Sequence, residues 1–225
     1  MSDEVTNLKI MNSCDNFTRW QFDKIKPYIK GSVLEVGVGL GNLTPYLLNE
    51  GYHGVDISSD HVAYCVKKFG DCFSVLDIGK ECPDIVKRRF DTVVLINVLE
   101  HVEQDLRALN NIYQMLKPKG RLIIIVPQYK SLFNNIDKAD GHYRRYTKKE
   151  LQEKTNLLFK TIHISHFNSI GCLGWLKNKI FKETTHKTQN LNTFNKIVPF
   201  IRLYEDRLPT PIGLSIVLIA QKGNE

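Results

Sequence analysis

Gly37, Gly39 and Gly41 follow the apolar run Val33-Leu34-Glu35-Val36, and Asp56 closes the next apolar run, about twenty residues on. Glycines at the end of a strand let the backbone turn sharply and approach a ligand. The first N–H groups of the helix that follows stay unpaired and face the crevice. A carboxylate at the tip of the second strand can accept both hydroxyls of a ribose. The spacing points to a nucleoside site, and its details bear on which nucleoside. A dinucleotide fingerprint needs its third glycine at position 42, where Asn42 stands. Glu35, just before the first glycine, would repel a pyrophosphate but attract an ammonium or sulfonium group. No G-x-x-x-x-G-K-[ST] is present, which argues against a triphosphate. The residues favour a cationic nucleoside and disfavour a nicotinamide dinucleotide.

The elements that would position these residues alternate. Phe17, Trp20, Lys24, Ile25 and Tyr28 recur at helical spacing, which predicts an N-terminal helix within 14–30 that stops near Pro27 and Gly31. Strands are predicted over 32–36, 52–56, 73–77, 91–97 and 121–126. Helices fall between them, one over 42–49 with Pro45 in its first turn, and another ended by Pro118 and Gly120. The run 91–97 is continuously apolar enough for a strand buried on both faces. Such alternation implies a parallel sheet with right-handed crossovers, in the order 3-2-1-4-5. Thr147 and Glu150 read as a capping box opening a helix over 148–159. Two further strands, 160–167 and 214–221, enclose an insertion over 170–210 with helical stretches near 173–181 and 193–208.

The 225 residues, 42% hydrophobic, suffice for one α/β domain over 1–225 and are short for two. The acidic, polar N-terminus carries no apolar leader segment, and no apolar run reaches membrane-spanning length, so a cytoplasmic location is expected. The five cysteines include no C-x-x-C pair, which argues against a zinc site or disulfide framework. The net charge of +7 gathers in 117–121, 144–149 and 177–187. It reads first as a solvated surface, and nucleic acid is an unfavoured partner in the absence of any aromatic-interleaved basic groove.

Five segments in order, VLEVGVGLGNLT, GVDIS, VLDIG, FDTVVLINVLEHVE and LKPKGRLIIIVP, resemble the motifs of the class I S-adenosylmethionine-dependent methyltransferases, across most of the chain. The segment 16–20 and GHYRRYTKKEL at 141–151 are similar to a narrower group, the type 11/12-like enzymes of polysaccharide and natural-product biosynthesis. The resemblance implies a Rossmann-like, doubly wound α/β fold of three αβα layers, whose seven-stranded sheet is mostly parallel with an antiparallel C-terminal strand. It implies S-adenosylmethionine as cofactor, leaving S-adenosylhomocysteine. Glu35 would sit near the ammonium, with Gly37, Val38, Gly39, Gly41 and Asn42 passing under the amino-acid part. Asp56 would meet the ribose, Ile57 the adenine, and Asp77 with Ile78 the adenine amine. Asn97 and Val98 would lie near the methionine portion, with Trp20 closing over the cofactor or serving as a core anchor.

Methyl transfer to an oxygen or nitrogen requires chiefly an acceptor held in line, helped by a base. His101 and His142 are the candidate bases, in a pKa range suited to the task. His101 could equally hydrogen-bond backbone at a helix start, and the loop of His142 could be pinned by Arg–carboxylate pairs. Tyr129, His142, Tyr143 and Tyr146 are candidate acceptor contacts. Glu100 and His101 lack a third spaced ligand, so no metal is expected. The expected acceptor is a small molecule, such as a sugar or natural-product intermediate. The alternatives are a silent cofactor-binding scaffold or an RNA modifier. The absence of N-P-P-[YF] after the fourth strand, where INVLEH stands, argues against many amino-group nucleic-acid modifiers. The insertion would serve as a lid, a homodimer surface or a patch resting near lipid-linked acceptors.

Overall fold

The computed structural model describes residues 15–80, 89–181, 188–207 and 210–224. Cys14, Cys82 and the basic residues of 182–187 lie outside them. Strands β1 (Val33–Val36), β2 (His53–Asp56), β3 (Phe73–Val75), β4 (Phe90–Ile96), β5 (Leu116–Pro127), β6 (Lys160–Phe167) and β7 (Ser215–Gln221) form one sheet in the order β3-β2-β1-β4-β5-β7-β6. The pairs from β3 to β5 are parallel, as the alternation predicts. β7 inserts antiparallel between β5 and β6. β1 pairs with β2 on one side and β4 on the other, so the chain leaves these adjacent strands in opposite directions and opens a crevice above their carboxyl ends.

The apolar runs are continuous because both faces of the central strands are covered. Val93 and Leu95 of β4 pack with Leu109 and Ile112 of helix α4 (Asp105–Met115). Val94, one residue out of phase, joins the opposite layer with Ile25 of α1 (Asp15–Ile25) and Cys65 of α3 (Ser59–Phe69). After β1 comes only the short α2 (Thr44–Leu47), with Pro45 in its first turn. The described residues hold no helix long and apolar enough to cross a membrane.

One local expectation is corrected, and one left open between two roles is decided. Thr147 caps α6 (Lys148–Asn156) by accepting the Glu150 N–H at 3.1 Å, but the Glu150 carboxylate turns outward to Lys130 at 2.8 Å, so only half the predicted box forms. A complete box stands instead at Asn134 and Asp137, opening α5 (Asn135–Ala139). Trp20 is a core anchor. It is 0% exposed, its ring centroid lies 4.4 Å from that of Phe167, and its neighbours Phe17, Thr18 and Gln21 turn toward the crevice in its place. The helical spacing fixes an apolar stripe but not which of its members lies deepest.

The insertion forms α7 (Gly171–Ile180) and α8 (Thr188–Glu205), the latter with Pro199 inside. α8 is held to α1 by Arg202–Asp23 at 2.6 Å, while Lys24–Asp206 at 2.5 Å and Asn16 Nδ2 to the Asn195 carbonyl at 3.1 Å complete the join. Replacing Trp20 by Ala should lower unfolding free energy by about 3 kcal/mol or more, read from denaturant melts. A loss below about 1 kcal/mol would contradict its place in the core.

Candidate functional site

The crevice is a cleft of about 1080 Å³ whose lining runs from Glu35 and Gly37 under β1 to His101 and His142 across β4. Gly37, Gly39 and Gly41 all have positive φ (76°, 52° and 72°), the left-handed turn that glycine adopts without strain. Gly37 N–H donates to the Val55 carbonyl at 2.7 Å, and Gly39 N–H to Asp56 Oδ2 at 2.8 Å, so the loop is strapped to the end of β2. Gly41 does not line the cleft. A Cβ there would stand 2.5 Å from the Phe69 ring, so this glycine lets α3 pack close. Asn42 does line it, with its buried Oδ1 unpaired.

Glu35 is buried at the cleft floor. Thr44 Oγ1 and Tyr52 OH both donate to its Oε2, at 2.8 and 2.5 Å, leaving Oε1 for a ligand. Burial raises its pKa to about 7 against the opposing effect of those hydrogen bonds. A carboxylate so placed gains most from a cationic neighbour. Asp56 spends much of its accepting capacity inside the protein. Its Oδ2 takes the Gly39 N–H, and its Oδ1 takes the Ser58 N–H at 2.9 Å and faces His61 Nδ1 at 3.2 Å. It both shapes the loop and lines the cleft beside Ile57, whose 67% exposure leaves an apolar face at the rim. Asp77 also lines the cleft while accepting the Gly79 N–H at 3.0 Å and pairing with Lys80 at 3.1 Å. Ile78 is buried beside it.

On the far side Asn97, at φ 53°, turns the chain out of β4, its N–H held by the Ile125 carbonyl at 2.9 Å. Val98 follows against Gly37, and residues 99–101 make a single tight turn that presents Glu100 and His101 to the cleft. His142 arrives from the loop after α5. Tyr143 N–H bonds the Glu100 carbonyl at 2.9 Å, and Arg144 reaches Asp105 at 2.9 Å. Tyr146 N–H bonds the Pro127 carbonyl at 3.0 Å. These ties bring the His101 and His142 rings to a centroid separation of 4.5 Å, edge to face.

Asp137, which sequence reasoning missed, organises this side. Its buried carboxylate accepts from Arg145 Nε at 2.8 Å and lies 2.8 Å from His142 Nδ1, which leaves the Nε2 of that ring free. Burial would lower the His142 pKa, but Asp137 and the charge of Glu100 outweigh it and hold it above the ordinary imidazole value. Burial and the nearby His142 push His101 down to about 4. Glu100 is wholly buried, neither carboxylate oxygen has a hydrogen-bond partner, and burial raises it to about 7. The Asn134-x-x-Asp137 spacing of a capping box was the signal that could have exposed Asp137.

Two expected acceptor contacts lie elsewhere. Tyr129 lines a separate shallow groove with Leu132 and Cys172. Tyr146 is buried, its hydroxyl donating to Asp105 Oδ2 at 3.0 Å, because it staples the His142 loop to α4. Tyr143 does line the cleft, and is 55% exposed. Overhead, Phe17 of α1, Trp175 of α7 and Phe194 of α8 complete the walls, with the Arg145 guanidinium 4.7 Å from the Trp175 ring centroid.

Residues 34–122 match the family described as methyltransferase domain. Over 100 residues the chain is 40% identical to juvenile hormone acid O-methyltransferase of Drosophila melanogaster, across 40% of this chain and 34% of that protein. Over 217 residues it is 27% identical to probable polyketide synthase 31 of Dictyostelium discoideum, covering 75% of this chain and 8% of that protein. The chain therefore spans about a third or less of these curated relatives. In fold it is similar to an S-adenosylmethionine-dependent methyltransferase from Archaeoglobus fulgidus, with a TM-score of 0.62, 19% identity, and coverage of 92% of this chain and 94% of that one.

The raised Glu35 carboxyl has a consequence for stability. Its contribution is fully present below its unfolded pKa near 4.5 and is lost as pH rises through about 7. Glu35→Gln, which removes the charge, should therefore melt with wild type near pH 4.5. By pH 8 it should be more stable by about 3 kcal/mol. A difference that does not change with pH would contradict the assignment.

Proposed function

We propose that the chain is a class I S-adenosylmethionine-dependent methyltransferase, a reading supported by the match over residues 34–122 and by the fold, and that it transfers a methyl group to an oxygen or nitrogen of a small-molecule acceptor, a sugar or natural-product intermediate. The observation carrying this reading is that a single cleft holds a buried, cation-seeking carboxylate, Glu35, at one end and the imidazoles of His101 and His142 at the other. S-adenosylmethionine, when bound, supplies the methyl on an electrophilic sulfonium. In this reading Glu35 holds the cofactor's ammonium and the Gly37–Gly39 turn lets the backbone come close. Asp56 and Ile57 take the ribose and adenine, Asp77 and Ile78 the far edge of the base, and Asn97 with Val98 the methionine portion.

The acceptor end belongs to the segment after β4 and the His142 loop. Asp137 is a positioning residue there: by bonding Nδ1 it fixes the ring orientation of His142 and turns Nε2 to the acceptor. The segment 170–210 acts as a lid, since Trp175 and Phe194 of its helices wall the cleft, while α8 is anchored to α1 through Arg202–Asp23 and to the end of β6 through Glu205, which accepts the Asn168 N–H at 3.1 Å. A roof of aromatic side chains suits a compact acceptor better than a polymer. The juvenile hormone acid enzyme and the polyketide synthase among the relatives fit small-molecule chemistry.

Incubating purified protein with methyl-labelled cofactor and cell extract should place the label in a small molecule identified by mass, and label found only in RNA would overturn the reading. With that acceptor in hand, His142→Ala should lower kcat about a hundredfold or more and leave S-adenosylhomocysteine affinity unchanged. Unchanged turnover would remove His142 from the mechanism. Trp175→Ala should raise the acceptor KM more than the cofactor Kd, and equal losses would contradict the lid.

A further inference from the structure

Glu100, His101 and His142 converge in a way the methyl-transfer reading alone does not require. One carboxylate oxygen of Glu100 and one nitrogen from each imidazole all lie within 4.8 Å of one another, at the acceptor end of the cleft. Both oxygens of Glu100 are buried without a hydrogen-bond partner. A buried carboxylate left bare is costly, and such groups are found paired or coordinating an ion. Among the described residues no arginine or lysine hydrogen-bonds to it. Arg145, the buried guanidinium nearby, is committed instead to Asp137 and to the Gln128 carbonyl. The Asp137–His142 contact at 2.8 Å is the arrangement in which a carboxylate orients a ligating histidine from behind, leaving Nε2 as the free donor. Sequence spacing supplied only Glu100 and His101. The third donor is delivered by the loop that Tyr143, Arg144 and Tyr146 pin against β4, β5 and α4.

We propose that Glu100, His101 and His142 bind one divalent transition-metal cation at the acceptor end of the cleft, and that this cation receives an acceptor hydroxyl oxygen. Two imidazoles and a carboxylate suit manganese, iron, cobalt or zinc, whereas a site for magnesium or calcium would be built from oxygen donors. Three protein donors leave further coordination positions facing the cleft. With the cation in place His142 Nε2 meets the acceptor through the metal rather than directly, and a hydroxyl bound there gives its proton to solvent water more readily, because the cation stabilises the oxygen's negative charge. The proposal rests on the methyltransferase reading for its acceptor, and narrows that acceptor to a hydroxyl-bearing molecule rather than an amine.

The test uses metal-stripped full-length protein titrated with Mn²⁺, followed by the electron paramagnetic resonance signal of the free ion. Wild type should bind one Mn²⁺ per chain. His101→Ala and His142→Ala should each weaken binding about tenfold or more, and His163→Ala, on β6 outside the cleft, should not. Circular dichroism melts of each variant separate loss of a ligand from loss of the fold, and Glu100→Gln, which keeps shape while removing charge, provides a third ligand variant. Absence of Mn²⁺ and Zn²⁺ binding at millimolar ion, or binding unaffected by both cleft histidine variants, would overturn the site. Calorimetry with S-adenosylhomocysteine on the same sample keeps the two readings apart. Homocysteine-nucleoside binding without metal refutes only the cation site, whereas metal binding without the nucleoside refutes the methyltransferase reading.

Discussion

The constraint on which the rest depends is the side-by-side, in-register pairing of β1 and β4. With Glu35 opposite Val94 and Val36 opposite Leu95, the two strands end within a residue of one another, and the loops that carry Gly37 and Glu100 leave side by side from that line. One strand turns out through Gly37 and the other through Asn97, both in left-handed conformations. The only non-glycine residue of that pair is an asparagine, the side chain type that tolerates this region best. Val98 packs into the space that a Cβ on Gly37 would fill, so the two loops also fit each other directly.

What the pairing assembles is a cleft with two buried carboxylates, Glu35 and Glu100, both pushed to about 7 by burial. Ordinary folding would avoid such groups or pair them with fixed cations. Here each faces ligand space, Glu35 with hydrogen bonds on one oxygen alone and Glu100 with none. In the proposed function the positive charge that relieves them is supplied by ligands, beyond what His142 and Arg145 give Glu100. Buried carboxylates compensated internally behave oppositely: despite burial, His142 and Arg145 hold the pKa of Asp137 below the usual carboxylate value, and Lys154 and Arg144 do the same for Asp105. That contrast separates the groups that build the site from those left open to ligands.

The sheet was readable from sequence because β4 and β5 are buried on both faces and so appear as unbroken apolar runs, and because glycines and an acidic residue mark the strand ends that face the crevice. Residues whose role depends on helix azimuth or on contacts distant in sequence were not readable. Trp20 and Phe17 share one apolar stripe, and only packing against Phe167 decides that Trp20 goes inward. Tyr129 and Tyr146 flank the same loop as His142, yet the strand bridge between Gln128 and Tyr146 turns Tyr146 into the core and carries Tyr129 away from the cleft. Asp137 and His142 meet across a helix-to-loop turn that no local periodicity announces.

In the proposed function the crevice holds a positively charged adenosyl-sulfur compound rather than a dinucleotide. Isothermal calorimetry of the protein at neutral pH with S-adenosylmethionine, S-adenosylhomocysteine and NADH tests it most directly. One saturable site per chain is expected for each of the first two, with no heat of binding for NADH. Tight NADH association with both adenosyl compounds ignored would contradict it.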